Sequence, residues 1–133
     1  MSIPFNKKYK HEKSENFDEF LKELGVNFMI RKVASTASST VELVKEAEDN
    51  FYSFNTISSF RTQSVRFQPG VEFIESRMDG EKVPCVITFD GNKMIQEQKG
   101  SKPITMIRTF TDDELFLTIK MGDLEAKRWF KAC

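Results

Sequence analysis

The chain has 133 residues, with 20 basic and 20 acidic side chains and a formal net charge of zero. That is the length of one ordinary domain, 1–133, long enough to bury a core or to enclose a cavity. The charge balance argues against a nucleic-acid binder, which carries a basic excess, while thirteen Phe against one Trp and two Tyr supply apolar area with few polar tips to satisfy.

Residues 5–13 are rich in lysine and read as an irregular first strand, with Phe5, Tyr9 and His11 facing inward. His11 is the one histidine, and no second ligand or nucleophile stands near it in the sequence. Ser14-Glu15-Asn16 is a helix-capping cluster. With Asn16 as the cap, Glu19 completes a capping box. Phe17, Phe20, Leu21 and Leu24 follow at helical spacing, and Gly25 is a natural stop. Residues 26–34 repeat the pattern, with Val26, Met29, Ile30 and Val33 apolar. Neither helix is long enough to be stable alone, so the pair must lie on something. A DNA-reading hairpin is disfavoured by the neutral charge and the β-rich remainder.

From Thr40 onward, turn signals recur about every ten residues, at 46–50, 68–70, 79–80, 90–92, 99–101, 112–113 and 122–123. This rhythm predicts an all-β antiparallel meander, hence an up-and-down barrel or a sandwich. Alternation is clear at Val65/Phe67, Val71/Phe73, Val83/Cys85/Ile87/Phe89 and Leu115/Leu117/Ile119/Met121. Pro84 interrupts one strand and belongs at a bulge or an edge. Cys85, on an apolar face, reads as an inert buried thiol.

The inner faces carry more polarity than a dry core tolerates. Parity puts Arg128 with Leu124, Ala126 and Phe130, and Arg108 with Met106 and Phe110. It also groups Gln96 and Gln98 with Met94, and Glu75 with Phe73 and Val71. An unpaired buried charge costs on the order of several kcal/mol, so something should meet the two guanidinium groups. Parity leaves two readings open: a closed structural network through Glu75, or a hollow barrel whose wall receives an anionic ligand.

Four stretches then matter together: Ser-Glu-Asn-Phe-Asp-Glu-Phe-Leu-Lys-Glu-Leu-Gly-Val at 14–26, Met-Ile-Arg-Lys-Val-Ala at 29–34, the hairpin texts Gly-Val-Glu-Phe at 70–73 and Asp-Gly-Asn-Lys at 90–93, and the paired arginines between 106 and 130. They resemble the intracellular lipid-binding proteins, the cytosolic fatty-acid-binding and cellular retinoic-acid-binding group. The resemblance implies a barrel of about ten antiparallel strands with a helix–turn–helix lid and one lipid inside. It implies that Arg108 and Arg128 receive a lipid carboxylate, with Phe130 where the family has a tyrosine. Phe17, Met29 and Phe60 fall where the family has portal side chains. Two further departures stand out. Phe5-Asn6-Lys7-Lys8-Tyr9 replaces Phe-x-Gly-x-Trp at the barrel floor, and Asp79-Gly80-Glu81 replaces Asp-Gly-Arg, so a portal ion pair is missing or has moved to Arg77.

The expectation is therefore a non-enzymatic carrier of a long-chain fatty acid or similar lipid carboxylate. Glu75, Gln96, Gln98, Met94, Met106, Leu117 and Ile119 would line its cavity or polar network. No catalytic residues can be assembled from one histidine and two distant cysteines, and no metal or cofactor is expected. A retinoid carrier and a membrane-associated structural lipid-binding protein are the alternatives. Lys22, Arg31 and Lys32 would meet anionic membranes transiently during transfer. No apolar run reaches membrane-spanning length, and the N-terminal text has no signal-peptide core. A cytoplasmic monomer with reduced thiols is the default reading, with passage to the nucleus left open.

Overall fold

A computed structural model describes residues 3–59 and 61–133. In chain order the elements are β1 (Lys8–Glu15), α1 (Phe17–Leu24), α2 (Phe28–Thr36), β2 (Ser39–Lys45), β3 (Tyr52–Ser58), β4 (Thr62–Phe67), β5 (Phe73–Ser76), β6 (Lys82–Asp90), β7 (Lys93–Gln98), β8 (Ile104–Phe110), β9 (Glu114–Met121) and β10 (Leu124–Ala132). All ten strands form one antiparallel sheet in the order β4-β3-β2-β1-β10-β9-β8-β7-β6-β5. The β1–β10 pairing wraps the meander round on itself, and the end strands β4 and β5 face each other across a seam with no ladder between them. The expected barrel of about ten strands with a two-helix lid is therefore the architecture observed.

Period-two alternation supplies the wall. Val83, Cys85 and Ile87 on β6 and Leu115, Leu117 and Ile119 on β9 all point inward and are buried. One end of the barrel is sealed by aromatic rings. Tyr52 lies 5.5 Å from Phe5 and 5.0 Å from Phe89, and Phe67 lies 6.0 Å from Phe89. Tyr9 is fully buried beside Phe110, at 5.9 Å, and its hydroxyl donates to the Thr111 carbonyl at 2.7 Å. Burial together with Asp112 and Asp113 pushes the phenol up to about 12, so it remains a donor across the physiological range. The left-handed residue in this stretch is Asn6, at φ 60°. Asparagine tolerates that region, so Lys7 needs no glycine's freedom.

Several local expectations are corrected. The first strand starts at Lys8 and runs on through Ser14 and Glu15, which therefore belong to β1 and not to a cap. Asn16 adopts φ 58°, makes no side-chain cap, and donates from its amide to the Glu125 carbonyl at 3.3 Å. With that side chain tied to β10, the capping box does not form. The second helix begins at Phe28, after Asn27 accepts from the Ile30 amide. Val26 is buried in the turn ahead of it, whereas Met29 and Val33, apolar positions of the same pattern, are exposed. Ile30 and Ala34 alone turn the helix towards the core. Val71 lies ahead of β5 and is exposed. Pro84 sits at neither a bulge nor an outer edge. It lies one step past the last β6–β7 pair, Cys85 with Gln98, where its carbonyl accepts from the Lys99 amide.

The helices are fastened unequally. α1 is held near its start by Asn16 and at its end by the Lys102 ammonium, which donates to the Glu23 carbonyl at 2.7 Å. The chain then turns at Gly25, φ 99°. α2 is tied back to α1 and the turn by Arg31, to Asp18 at 3.2 Å and to the Val26 carbonyl at 3.0 Å.

Replacing Tyr9 by Phe removes one buried hydrogen bond while keeping the ring. The expected loss is about 1 kcal/mol of unfolding free energy, read by urea denaturation.

Candidate functional site

Register brings the two predicted arginines together. Leu117 on β9 pairs with Arg108 on β8 and with Arg128 on β10, so the guanidinium groups face the interior from either side of one leucine. Both line the same internal cavity, of about 180 Å³, with Gln96, Gln98, Glu75 and Met106 on its polar side. Phe20, Leu21 and Leu24 of α1 roof it, and Leu117 and Ile119 form part of its wall. A smaller chamber of about 60 Å³ shares Glu75, Gln96 and Arg108 with it. A third, of about 120 Å³, continues past Phe17 and Arg128 to Ala34, Ser58, Arg61 and Met78, between α2 and the β3–β4 and β5–β6 turns.

The polar network is built from β5, β7 and β8. Arg108 donates from Nη1 to Gln96 Oε1 at 2.8 Å, and Gln96 Nε2 donates to Glu75 Oε2 at 2.7 Å. Gln98 Nε2 donates to the same carboxylate oxygen at 2.9 Å. Glu75 therefore reaches Arg108 through a neutral amide and not by a direct ion pair. On its other side Arg108 stacks on Phe54, 4.3 Å from the ring centre. Arg128 stacks on Phe17 at 4.1 Å and donates from Nε to Ser14 Oγ at 3.0 Å. Among the described residues neither guanidinium forms an ion pair.

This wiring has an electrostatic signature. Burial brings the Arg108 guanidinium down to about 10, with Glu75 opposing the shift. Burial and then the charge of Arg108 bring Arg128 down to about 10. Both stay cationic at neutral pH. The unfolded chain holds these protons more tightly than the folded one. The cost of keeping both charges inside is therefore in full force below about pH 10 and is relieved only above it.

The other predicted residues fall as follows. Gln96, Gln98 and Glu75 are in the network, and Met106 touches Arg108, its sulfur 3.7 Å from Nη2. Met94 shares their inward face but is fully buried in the apolar cluster, next to Phe89 in register, and takes no part in the network. Phe17 is half-buried against Arg128 and lines the outward chamber. Met29 stands on the outer face of α2. Phe60 lies outside the described residues. Arg77 does take the displaced ion pair: it is buried, donates to Asp79 at 2.8 Å and Glu81 at 3.0 Å, and also holds the Lys102 carbonyl at 2.7 Å.

Sequence reasoning missed Ser14 as the partner of Arg128. In a regular strand residues 11 and 14 point to opposite faces. A register shift between His11 and Lys13 puts both on the side of Arg128, and His11 Nε2 meets Ser14 Oγ at 2.7 Å.

Residues 7–131 match the family described as lipocalin / cytosolic fatty-acid binding protein family. The chain belongs to that family. It is 42% identical to a fatty acid-binding protein of Tyrophagus putrescentiae, covering 97% of this chain and 98% of the relative. It superposes with a TM-score of 0.92 on the crystal structure of a fatty acid-binding protein from Drosophila melanogaster brain, with 48% identity over 96% of this chain and 98% of that one. A Schistosoma mansoni fatty acid-binding protein in complex with arachidonic acid is similar at a TM-score of 0.90, with 29% identity over 97% and 96% of the two chains. This fatty-acid-binding protein family comprises lipid carriers and not enzymes.

The uncompensated charge predicts a trade of stability for binding. Arg108→Met should raise the unfolding free energy at neutral pH by about 1–2 kcal/mol, because a flexible apolar chain replaces a buried cation. Urea titration of the ligand-free protein checks it.

Proposed function

We propose that this protein carries an ionised long-chain fatty acid, head group inward at Arg108 and Arg128, and hands it over at membranes. The observation behind the reading is one buried and one half-buried guanidinium group that share one cavity and hydrogen-bond only to neutral partners. Arginine suits this task because it stays charged and offers a planar fork to a carboxylate. The tail gains about 0.8 kcal/mol for each CH₂ removed from water. Phe17, Phe20, Leu117 and Ile119 supply the apolar surface, and Met106 adapts to its shape. The arachidonic acid in the Schistosoma relative is a ligand of this class.

With Phe130 in place of the family's tyrosine, no phenol hydroxyl meets the head group at that position. Phe130 is buried, its ring 5.3 Å from the Arg128 guanidinium carbon. The carboxylate then depends on the arginines. A hydrogen bond to a charged group contributes roughly 1.5–3 kcal/mol. Arg108→Ala combined with Arg128→Ala should accordingly weaken oleic acid by at least about tenfold and leave methyl oleate nearly unchanged. Equal losses for both ligands, measured by displacement of a fluorescent lipid, would mean that the arginines serve the fold. Retinoic acid bound more tightly than oleic acid in the same assay would move the assignment to a retinoid.

The handover rests on α2. Phe28, Met29 and Val33 are exposed at 63%, 71% and 42%, beside the exposed Lys32. An apolar patch with a cation next to it suits the interface of an anionic membrane. Phe28→Ser with Met29→Ser should slow transfer of a fluorescent fatty acid to anionic vesicles severalfold while leaving equilibrium affinity within about twofold.

A further inference from the structure

We propose that His11 is a positioning residue of the head-group site and takes up a proton when an ionised head group settles on Arg128. This rests on the carboxylate reading above. The geometry behind it is a directed hydrogen-bond chain. Arg128 donates from Nε to Ser14 Oγ at 3.0 Å, and His11 Nε2 lies 2.7 Å from that same oxygen. Arginine can only donate, so the serine accepts from it and passes its own proton towards the imidazole. The chain Arg128 to Ser14 to His11 is complete only while Nε2 is unprotonated. A protonated His11 would turn Nε2 into a donor, and the serine would then receive two cationic donors on one oxygen.

The surroundings set the sign. The imidazole packs edge-on to Phe130 at 5.4 Å. It faces Arg128 from β10, and Asp18 and Glu19 of α1 line the same groove. On its own strand Lys13 adds a backbone hydrogen bond, and α2 contributes only Ala34 and Ser35. Burial and then the charge of Arg128 hold His11 below the ordinary imidazole range, with the Lys13 contact opposing. A carboxylate on Arg128 cancels much of that repulsion and favours the charged imidazole. The lipid-bound protein therefore holds the extra proton more firmly than the free protein. By linkage, affinity for the anion must rise as pH falls through the His11 titration.

Access for that proton is separate from the lipid. Arg128 lines the inner cavity on one side and, on the other, an open groove formed by His11, Ser14, Asn16 and the start of α1. His11 meets bulk solvent through this groove while the cavity is closed over a tail. Protonation would also make His11 Nε2 a second donor competing for Ser14 Oγ and release Arg128 to turn towards the head group, so charge and geometry act in the same direction.

Because His11 is the one histidine in the chain, its titration can be followed by NMR on the intact protein without assignment ambiguity. Three samples decide the matter: ligand-free, with oleic acid, and with methyl oleate. The expected result is an upward shift of the His11 midpoint with oleic acid and none with the ester. In parallel, affinity for oleic acid should rise about threefold from pH 8 to pH 6 in the wild type. In His11→Gln, whose amide oxygen can still accept from Ser14, it should stay flat over that range. Coincident midpoints in a protein whose oleic acid binding is lost in Arg128→Ala would overturn this inference and leave the carrier reading standing. Oleic acid binding that is absent, or indifferent to Arg128→Ala, would overturn both.

Discussion

Arg108 and Arg128 stand one leucine apart on the inner wall, like charges facing one space, and much of the interior can be understood as the means of keeping them there. Each is held by groups that orient it without neutralising it: a glutamine and a phenylalanine ring for one, a serine and a phenylalanine ring for the other. Glu75 is close enough to ease Arg108 electrostatically. It is kept one amide away, and it spends one oxygen on two glutamines. A direct pair would have closed the account inside the protein. An indirect one fixes the geometry and leaves the guanidinium able to accept an anionic partner.

The same arrangement explains why the arginines were legible and their supports only partly so. Strand parity depends on nothing but a period of two, and β8 and β10 are regular over the residues that matter. Parity alone therefore places Arg108, Arg128, Gln96, Gln98 and Glu75 on inward faces. Turn residues at regular spacing carry the antiparallel meander, whereas the count of about ten strands comes with the family likeness, which rests on four stretches between residue 14 and the paired arginines. What failed was whatever depended on a distant partner. Ser14 looked like part of a helix cap because the local text suited one. It serves Arg128 instead because a register shift in β1, invisible to parity, brings it opposite that residue. Asn16 left its expected capping role for a carbonyl on β10, 109 positions along the chain. Met94 obeys the parity rule and is the register partner of Arg108, yet it lies outside the polar network, because the long arginine side chain carries its guanidinium along the barrel to Gln96.

The second helix shows the limit of amphipathic reasoning. Its apolar residues suggested a face laid on the barrel, yet only Ile30 and Ala34 turn inward, while Phe28, Met29 and Val33 stand in solvent. The hydrophobic spacing was correct as chemistry, but its target was misjudged. An exposed apolar surface of this kind on a small domain marks a place of contact, and here it stands beside the outward chamber that leads to Arg128.

The unequal fastening of the two helices has a kinetic meaning. α1 roofs the inner cavity and is tied down at both ends, by Asn16 and by Lys102, so the ceiling over the charged pair is rigid. α2 hangs from the left-handed bend at Gly25 and from Arg31. On the carrier reading proposed above, a swing of the outer helix would widen the doorway without disturbing the ceiling. The pace of lipid exchange would then rest on one helix and the firmness of recognition on the other.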